Sequence, residues 1–120
     1  MYKLIVSDLD GTLVDKNKNV SEYTKKIVTL LKERGIEFII ATGRSYKGAK
    51  HIYDTLELNG EIVCNNGTTI YNNKGELIFQ RTLDSNIVNE VFKKSLEEDC
   101  VFFATYGTQV YIGEGTIDKA

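Results

Sequence analysis

The sequence contains no proline and no tryptophan, and it has one histidine and two cysteines among its 120 residues. Two cysteines cannot form the disulfide framework of a small secreted domain. Cys64 and Cys100 are therefore interpreted as reduced, buried thiols of a cytoplasmic protein. The histidine, His51, falls on a predicted helix and is interpreted as structural or exposed rather than catalytic. The absence of proline carries no information about function.

The chain also lacks a large excess of either positive or negative charge, because its net charge is only −2. Without a basic patch we expect no nucleic-acid partner and no anionic membrane surface. No apolar run approaches the roughly 20 residues of a membrane span. Because the sequence enters directly into a predicted strand, we expect no signal peptide. A hydrophobic fraction of 42% and a charged fraction of 27% are ordinary for a globular chain. A length of 120 residues allows one modest domain, or one domain and part of another.

Apolar runs and amphipathic segments alternate through the first half of the chain. Residues 4–6, 36–41 and 61–64 are typical of buried strands, and Ser21 and Ser45 are typical N-caps of the two helices between them. This β-α-β-α-β pattern predicts an α/β fold with a Rossmann-like parallel sheet. The apolar face of the first helix is predicted to contain Tyr23, Ile27, Leu30 and Leu31.

The pattern changes after residue 67. Residues 68–71 and 76–80 predict a β-hairpin, a helix is predicted from Asp84 or Ser85, and residues 101–106 and 109–112 predict a second hairpin. A helix followed by antiparallel strands suggests the start of an α+β unit. We therefore expect a core at residues 1–82 and the beginning of a second domain at residues 83–120.

Polar residues follow each of the three predicted parallel strands. Asp8 and Asp10 come directly after the first, Thr42 follows the second and Asn66 follows the third. Ligands of open α/β sheets bind at this carboxyl edge. Two neighbouring carboxylates stay ionised only beside a cation or strong donors, or else one holds a proton, so the pair indicates either a magnesium site or an acid/base pair. The alternative without any function is that Asp-Gly and Asn-Gly are pairs of residues common in ordinary turns.

The residues around Thr42 favour anion binding. Thr42 could merely satisfy a backbone group, but its position at the carboxyl end of a strand favours a role in which its hydroxyl, helped by the Gly43 amide, donates a hydrogen bond to a phosphate. Arg44 is either a surface arginine or a clamp for phosphate or the substrate edge, and the sequence leaves these alternatives open.

Three motifs resemble those of one known family. Asp8-Leu9-Asp10-Gly11-Thr12 resembles the first signature of the haloacid dehalogenase-like phosphatases, Asp-x-Asp-Gly-Thr. Residues 39–44, which end in Ala41-Thr42-Gly43-Arg44, resemble the second signature, and residues 62–67 resemble the Asn-Gly element of the Cof-type branch. All three occur in the family's order.

The resemblance implies specific roles. Asp8 would be the nucleophile that forms an aspartyl-phosphate, and Asp10 the general acid/base. Mg²⁺ would be bound by the Asp8 carboxylate and the Asp10 backbone carbonyl, while Asn66 would line the floor of the site. The implied substrate is a small phosphorylated metabolite, with a sugar phosphate as the first candidate.

The chain also departs from the family pattern. Nothing after Arg81 resembles the family's later lysine or its Gly-Asp-x-x-Asn-Asp element. We therefore expect low activity from the 120 residues alone. The alternatives are a phosphomutase of the same superfamily, or an inactive fragment or interaction module; a receiver domain is disfavoured because it lacks the Asp-Gly-Thr pattern. We also expect the first strand to present an unpaired edge through which the chain self-associates.

Overall fold

The computed structural model of the chain describes residues 2–113. They form two compact units that divide after Gln80. That the second unit is the beginning of a cap domain stays a prediction, as does the boundary at residue 82.

The first unit is a five-stranded mixed sheet with two helices. Its elements are β1 (Leu4–Ser7), α1 (Glu22–Glu33), β2 (Glu37–Ala41), α2 (Tyr46–Thr55), β3 (Ile62–Cys64), β4 (Thr69–Tyr71) and β5 (Leu77–Gln80). The strands lie in the order β1-β2-β3-β4-β5. β1, β2 and β3 are parallel, while β4 and β5 add an antiparallel hairpin. The predicted α/β class is confirmed.

Both helices begin where the sequence predicts. The Ser21 hydroxyl accepts a hydrogen bond from the Thr24 amide, and the Ser45 hydroxyl accepts one from the Gly48 amide. These bonds satisfy amides that the first helical turn leaves without partners. The connections that carry the chain from one parallel strand to the next are therefore fixed by local sequence.

The core lies between the helices and one face of the sheet. Ile40, Ile62 and Cys64 are 0% exposed there. On α1, however, Val28 is the buried residue, whereas Tyr23 is 74% exposed. The prediction is confirmed for Leu31, which packs against the core, and is wrong for Tyr23, Ile27 and Leu30, which form a stripe on the solvent side. This helix has apolar residues on two adjacent faces, and its sequence pattern does not decide which face packs.

The second unit consists of α3 (Ser85–Glu97), β6 (Phe103–Tyr106) and β7 (Gln109–Ile112). Asp84 caps α3 by accepting a hydrogen bond from the Asn86 amide at 2.8 Å. None of its described residues is buried, because one helix and a two-stranded ribbon enclose too little volume. Cys100 is exposed, so the prediction of two buried thiols is wrong for this residue and confirmed for Cys64.

None of the helices within residues 2–113 combines the length and apolar character that crossing a membrane requires.

Candidate active site

Leu9 separates the two carboxylates that follow β1. Its side chain is 0% exposed, and its carbonyl accepts hydrogen bonds from the amides of Thr12, Leu13 and Val14 at 3.0–3.3 Å. Asp8 and Asp10, on either side of it, are both exposed. Burying the central residue of Asp-Leu-Asp thus holds both carboxylates outside the core at the carboxyl end of β1.

A cavity of about 400 Å³ lies where β1, β2 and β3 end. It is lined by Asp8, Ala41, Thr42, Gly43, Val63, Asn66 and Gly67. The structure therefore brings four of the residues predicted for the site, Asp8, Thr42, Gly43 and Asn66, around one space. The residues supply a carboxylate, a hydroxyl, a side-chain amide and glycine backbone, a combination that suits a small polar ligand.

Backbone hydrogen bonds join the segment after β2 to the segment after β3. The Thr42 amide donates to the Val63 carbonyl at 2.9 Å, and the Asn66 amide donates to the Thr42 carbonyl at 3.1 Å. The Asn65 amide donates to the Arg44 carbonyl at 2.9 Å. Thr42 is 4% exposed, and its hydroxyl accepts a hydrogen bond from the Arg44 amide at 3.1 Å. Its own proton is left for another acceptor.

The segment after β3 has an uncommon backbone conformation. Asn65, Asn66 and Gly67 have φ values of +49°, +56° and +89°, in the left-handed region that asparagine and glycine tolerate best. This turn directs the Asn66 side chain towards Gly43. A Cβ atom added at Gly43 would lie only 2.9 Å from Asn66 Oδ1, so the close approach requires glycine there.

We expect Gly43→Ala to push the Asn66 amide out of place. Binding of inorganic phosphate in the cavity should weaken by about tenfold, equivalent to about 1.4 kcal/mol, which is the size of one hydrogen bond to a charged group. Isothermal titration calorimetry with phosphate measures this effect. Gly60→Ala is the matched control, because its Cβ would meet Glu37 at 2.8 Å outside the cavity. Equal phosphate affinity in both variants would contradict a ligand role for the Gly43 and Asn66 pair.

Asp10, unlike Asp8, is not among the residues that line the cavity. Its carboxylate is held by two cations. Arg44 binds it through Nε to Oδ2 and Nη2 to Oδ1, both at 2.7 Å, and Lys18 Nζ lies 2.6 Å from Oδ1. The Arg44 guanidinium, and after it the Lys18 ammonium, hold the pKa of Asp10 well below its usual range. Asp10 is therefore a carboxylate in this arrangement. Donating a proton to a leaving group requires it to separate from both cations first.

Arg44 is not a solvated surface arginine, and its role as a clamp for phosphate or the substrate edge stays a prediction. Its side chain is only 22% exposed, and besides Asp10 it binds the Gly48 carbonyl through Nη1 at 3.1 Å. The pKa of Arg44 is raised, chiefly by its hydrogen bonds to Asp10, and the negative charge of Asp8 adds to this effect. In this structure it is a partner of Asp10.

Lys18 is the site neighbour that sequence reasoning missed. The Asp15 carboxylate accepts hydrogen bonds from the amides of Asn17 and Asn19 at 2.8 and 2.9 Å, and Lys18 between them has φ of +65°. The cluster of Asp and Asn residues predicts a loop there. The left-handed conformation that carries Lys18 to Asp10 leaves no signal in the sequence.

The described residues offer only part of a magnesium site. Among residues 2–113, no group of three or more His, Cys, Asp or Glu side chains is arranged to hold a metal ion. The carboxylate of Asp8 and the backbone carbonyl of Asp10 do suit Mg²⁺, which prefers oxygen ligands and commonly takes one or two carboxylates with several waters. The donors present therefore fit this ion with few protein ligands.

Comparison of the sequence with models of known protein families shows which family the chain belongs to. The model of the haloacid dehalogenase-like hydrolases matches residues 5–119, which is most of the chain. The chain belongs to the haloacid dehalogenase-like hydrolase family. The resemblance stated from three short motifs is therefore confirmed over the whole matched range.

Relatives in this family are named as phosphatases. The chain is 35% identical over 91 residues to an HMP-PP phosphatase of Serratia proteamaculans, covering 76% of this chain and 33% of that protein. It is 36% identical over 120 residues to a protein of Buchnera aphidicola subsp. Schizaphis graminum whose name assigns it provisionally as a phosphatase, covering 99% of this chain and 44% of that protein. The chain thus spans less than half the length of these relatives.

Solved structures of the family share the fold. A haloacid dehalogenase-like hydrolase from Bacteroides thetaiotaomicron aligns with a TM-score of 0.78 at 28% identity, over 93% of this chain and 44% of that one. Another from B. subtilis aligns with a TM-score of 0.78 at 26% identity, over 98% of this chain and 42% of that one.

Proposed function

We propose that this site hydrolyses a small phosphomonoester with the help of Mg²⁺, through an aspartyl-phosphate on Asp8. The observation that carries the proposal is the convergence of Asp8, Thr42, Gly43 and Asn66 on one cavity of about 400 Å³. A carboxylate that faces hydroxyl and amide donors across a space of this size can attack a phosphorus atom whose oxygens those donors hold.

The proposed reaction has two steps. An Asp8 oxygen bonds to phosphorus as the bond to the leaving oxygen breaks, and that oxygen takes a proton. Water then attacks phosphorus, loses a proton, and releases inorganic phosphate and the free Asp8 carboxylate. Splitting the transfer in this way replaces one difficult displacement with two easier ones.

Asp10 is the proposed proton carrier, since it lies two residues from the nucleophile. As a carboxylate it is already in the form that accepts a proton from water in the second step. For the first step it must carry a proton, which requires Arg44 and Lys18 to move from its oxygens. We propose that the phosphate, being the stronger anion, draws one of these cations away.

Asp8 and the Asp10 backbone carbonyl are the proposed magnesium ligands. When bound, the ion would reduce the repulsion between the carboxylate and the phosphate oxygens.

The substrate is proposed only as a class. A sugar phosphate is the first candidate from the family resemblance, and relatives named HMP-PP phosphatase bring that substrate as a second. A small phosphorylated metabolite rather than a nucleic acid or a membrane is the proposed partner, in keeping with the net charge of −2. The proposed location is the cytoplasm, supported by the free state of both cysteines.

Trapping of the phosphorylated chain tests this function. After brief incubation with ³²P-labelled phosphomonoesters and acid quenching, we expect label on the chain that requires Mg²⁺ and is abolished by EDTA. Single-turnover labelling suits the slow reaction expected when few protein ligands hold the metal. Label on a residue other than Asp8 would contradict the mechanism, and complete absence of label would favour the alternative of an inactive interaction module.

A further inference from the structure

Lys18 and Arg44 both bind the Asp10 carboxylate, and together they carry more positive charge than this one carboxylate needs. Arg44 donates two hydrogen bonds to it at 2.7 Å, which is enough to neutralise one negative charge. Lys18 Nζ adds a third bond at 2.6 Å. The group of three side chains therefore has one positive charge in excess, which favours a further anion beside it.

The turn that carries Lys18 is held in place by hydrogen bonds of its own. The Asp15 amide donates to the Asn19 carbonyl at 3.0 Å, and the Lys18 amide donates to the Asp15 carbonyl at 3.0 Å. Val14 and Val20, on either side of this turn, are buried in the core. Lysine has a φ of +65° there, a conformation that a residue with a Cβ atom adopts only at an energetic cost. The fold itself, and not the ion pair alone, therefore fixes the position of Lys18.

The two cations reach Asp10 from different parts of the site. Arg44 directly follows Gly43, which lines the cavity proposed for the phosphoryl group. Lys18 comes from the loop between β1 and α1, and none of residues 9–21 lines that cavity. Because Asp10 is the proposed carrier of the proton to the leaving oxygen, the Lys18 ammonium lies about two hydrogen-bond lengths, or roughly 5–6 Å, from that oxygen. Lys18 is therefore on the leaving-group side of the site.

Asp10 can give a proton to the leaving group only after both cations have moved from its oxygens. The phosphate accounts for one of them, and Arg44 is the cation whose chain neighbour lines the cavity. Lys18 then needs a different anion. It makes one bond to Asp10 where Arg44 makes two, and its flexible four-carbon side chain can turn towards a group beside the ester oxygen.

We propose that Lys18 binds a second anionic group of the substrate, next to the phosphate ester on the leaving-group side. The inference rests on the function proposed above, and it narrows the substrate class to small phosphomonoesters with another negative charge near the ester oxygen. A lysine ammonium is a compact point charge, so a carboxylate or a further phosphate can fill this role. A neutral sugar phosphate binds less tightly, because it offers the excess positive charge no partner.

Two phosphonates that cannot be hydrolysed test this preference through binding alone. Phosphonopropionate and propylphosphonate share a methylene group in place of the ester oxygen, and they differ in carrying a carboxylate or a methyl group at the far end. Chemical-shift titration of the ¹⁵N-labelled chain in the presence of Mg²⁺ gives both dissociation constants. We expect the carboxylate to tighten binding by about fivefold, as one partly exposed ion pair does.

Lys18→Met and Lys16→Met form a matched pair of variants. Both lysines lie in the same exposed turn, but Lys16 forms none of the ion pairs found within residues 2–113. Lys18→Met should remove the preference for phosphonopropionate and change the affinity for propylphosphonate by less than about twofold, whereas Lys16→Met should keep the preference. Lys18→Gly adopts the left-handed conformation readily, so it should behave like Lys18→Met because it too lacks the ammonium.

The outcomes separate this inference from the proposed function. Equal binding of the two phosphonates by the unaltered chain would overturn the inference while the proposed function stands. The same holds for a preference that survives in either Lys18 variant, or one that Lys16→Met removes equally. Binding of neither phosphonate would contradict the proposed function, and this inference with it.

Discussion

Asp8→Asn is expected to abolish phosphomonoester hydrolysis, lowering its rate by at least about 10⁴-fold, as losses of catalytic nucleophiles do. Asparagine keeps the shape of the side chain but replaces the attacking carboxylate oxygen with a neutral amide. Release of inorganic phosphate, measured in the presence of Mg²⁺, gives the rate. Beryllium fluoride, followed by ¹⁹F resonance, reports separately whether an adduct forms on the chain.

Asp15→Asn is the control for this variant. Asp15 is another exposed carboxylate, in the loop between β1 and α1, and it accepts hydrogen bonds from the amides of Asn17 and Asn19. An asparagine oxygen can still accept these bonds, so the activity should change by less than about tenfold. Full turnover by Asp8→Asn, or an adduct on Asp10, would contradict the assignment of the nucleophile.

Leu9→Ala is expected to have the largest effect on stability, lowering the free energy of unfolding by about 2–5 kcal/mol. Leu9 is 0% exposed, so truncation leaves a cavity as well as losing buried surface. The loss compares with a total stability of about 5–15 kcal/mol for a typical domain. Urea-induced unfolding followed by circular dichroism measures it.

Leu30→Ala removes the same atoms from the solvent side of α1, where the side chain is 46% exposed. Its cost should be below about 1 kcal/mol, because little surface is lost from the interior. Similar destabilisation by both changes would mean that Leu9 is not the buried anchor between Asp8 and Asp10. Since Leu9 also positions both carboxylates, its variant should lose phosphate binding along with stability.

The elements of the fold could be predicted because their signals are local. Ser21 and Ser45 cap helices with their own hydroxyls, and Asn72 to Gly75 form the predicted turn, in which the Gly75 amide donates to the Asn72 carbonyl at 3.0 Å. The packing face of α1 was predicted correctly at Leu31 but wrongly at Tyr23, because Val28 and Tyr23 lie on different apolar faces of one helix. Which of the two faces packs against the core depends on the strand that the helix contacts in the folded chain.

The sequence by itself determined which residues follow the parallel strands, and therefore that Asp8, Thr42 and Asn66 meet at one edge. The succession of strands and helices along the chain follows from local periodicity, and such positions need no knowledge of side-chain contacts. Only the tertiary structure decided that Arg44 and Lys18 share Asp10. Those contacts span 34 and 8 residues and depend on a left-handed turn at Lys18, so they arise only once the chain is folded.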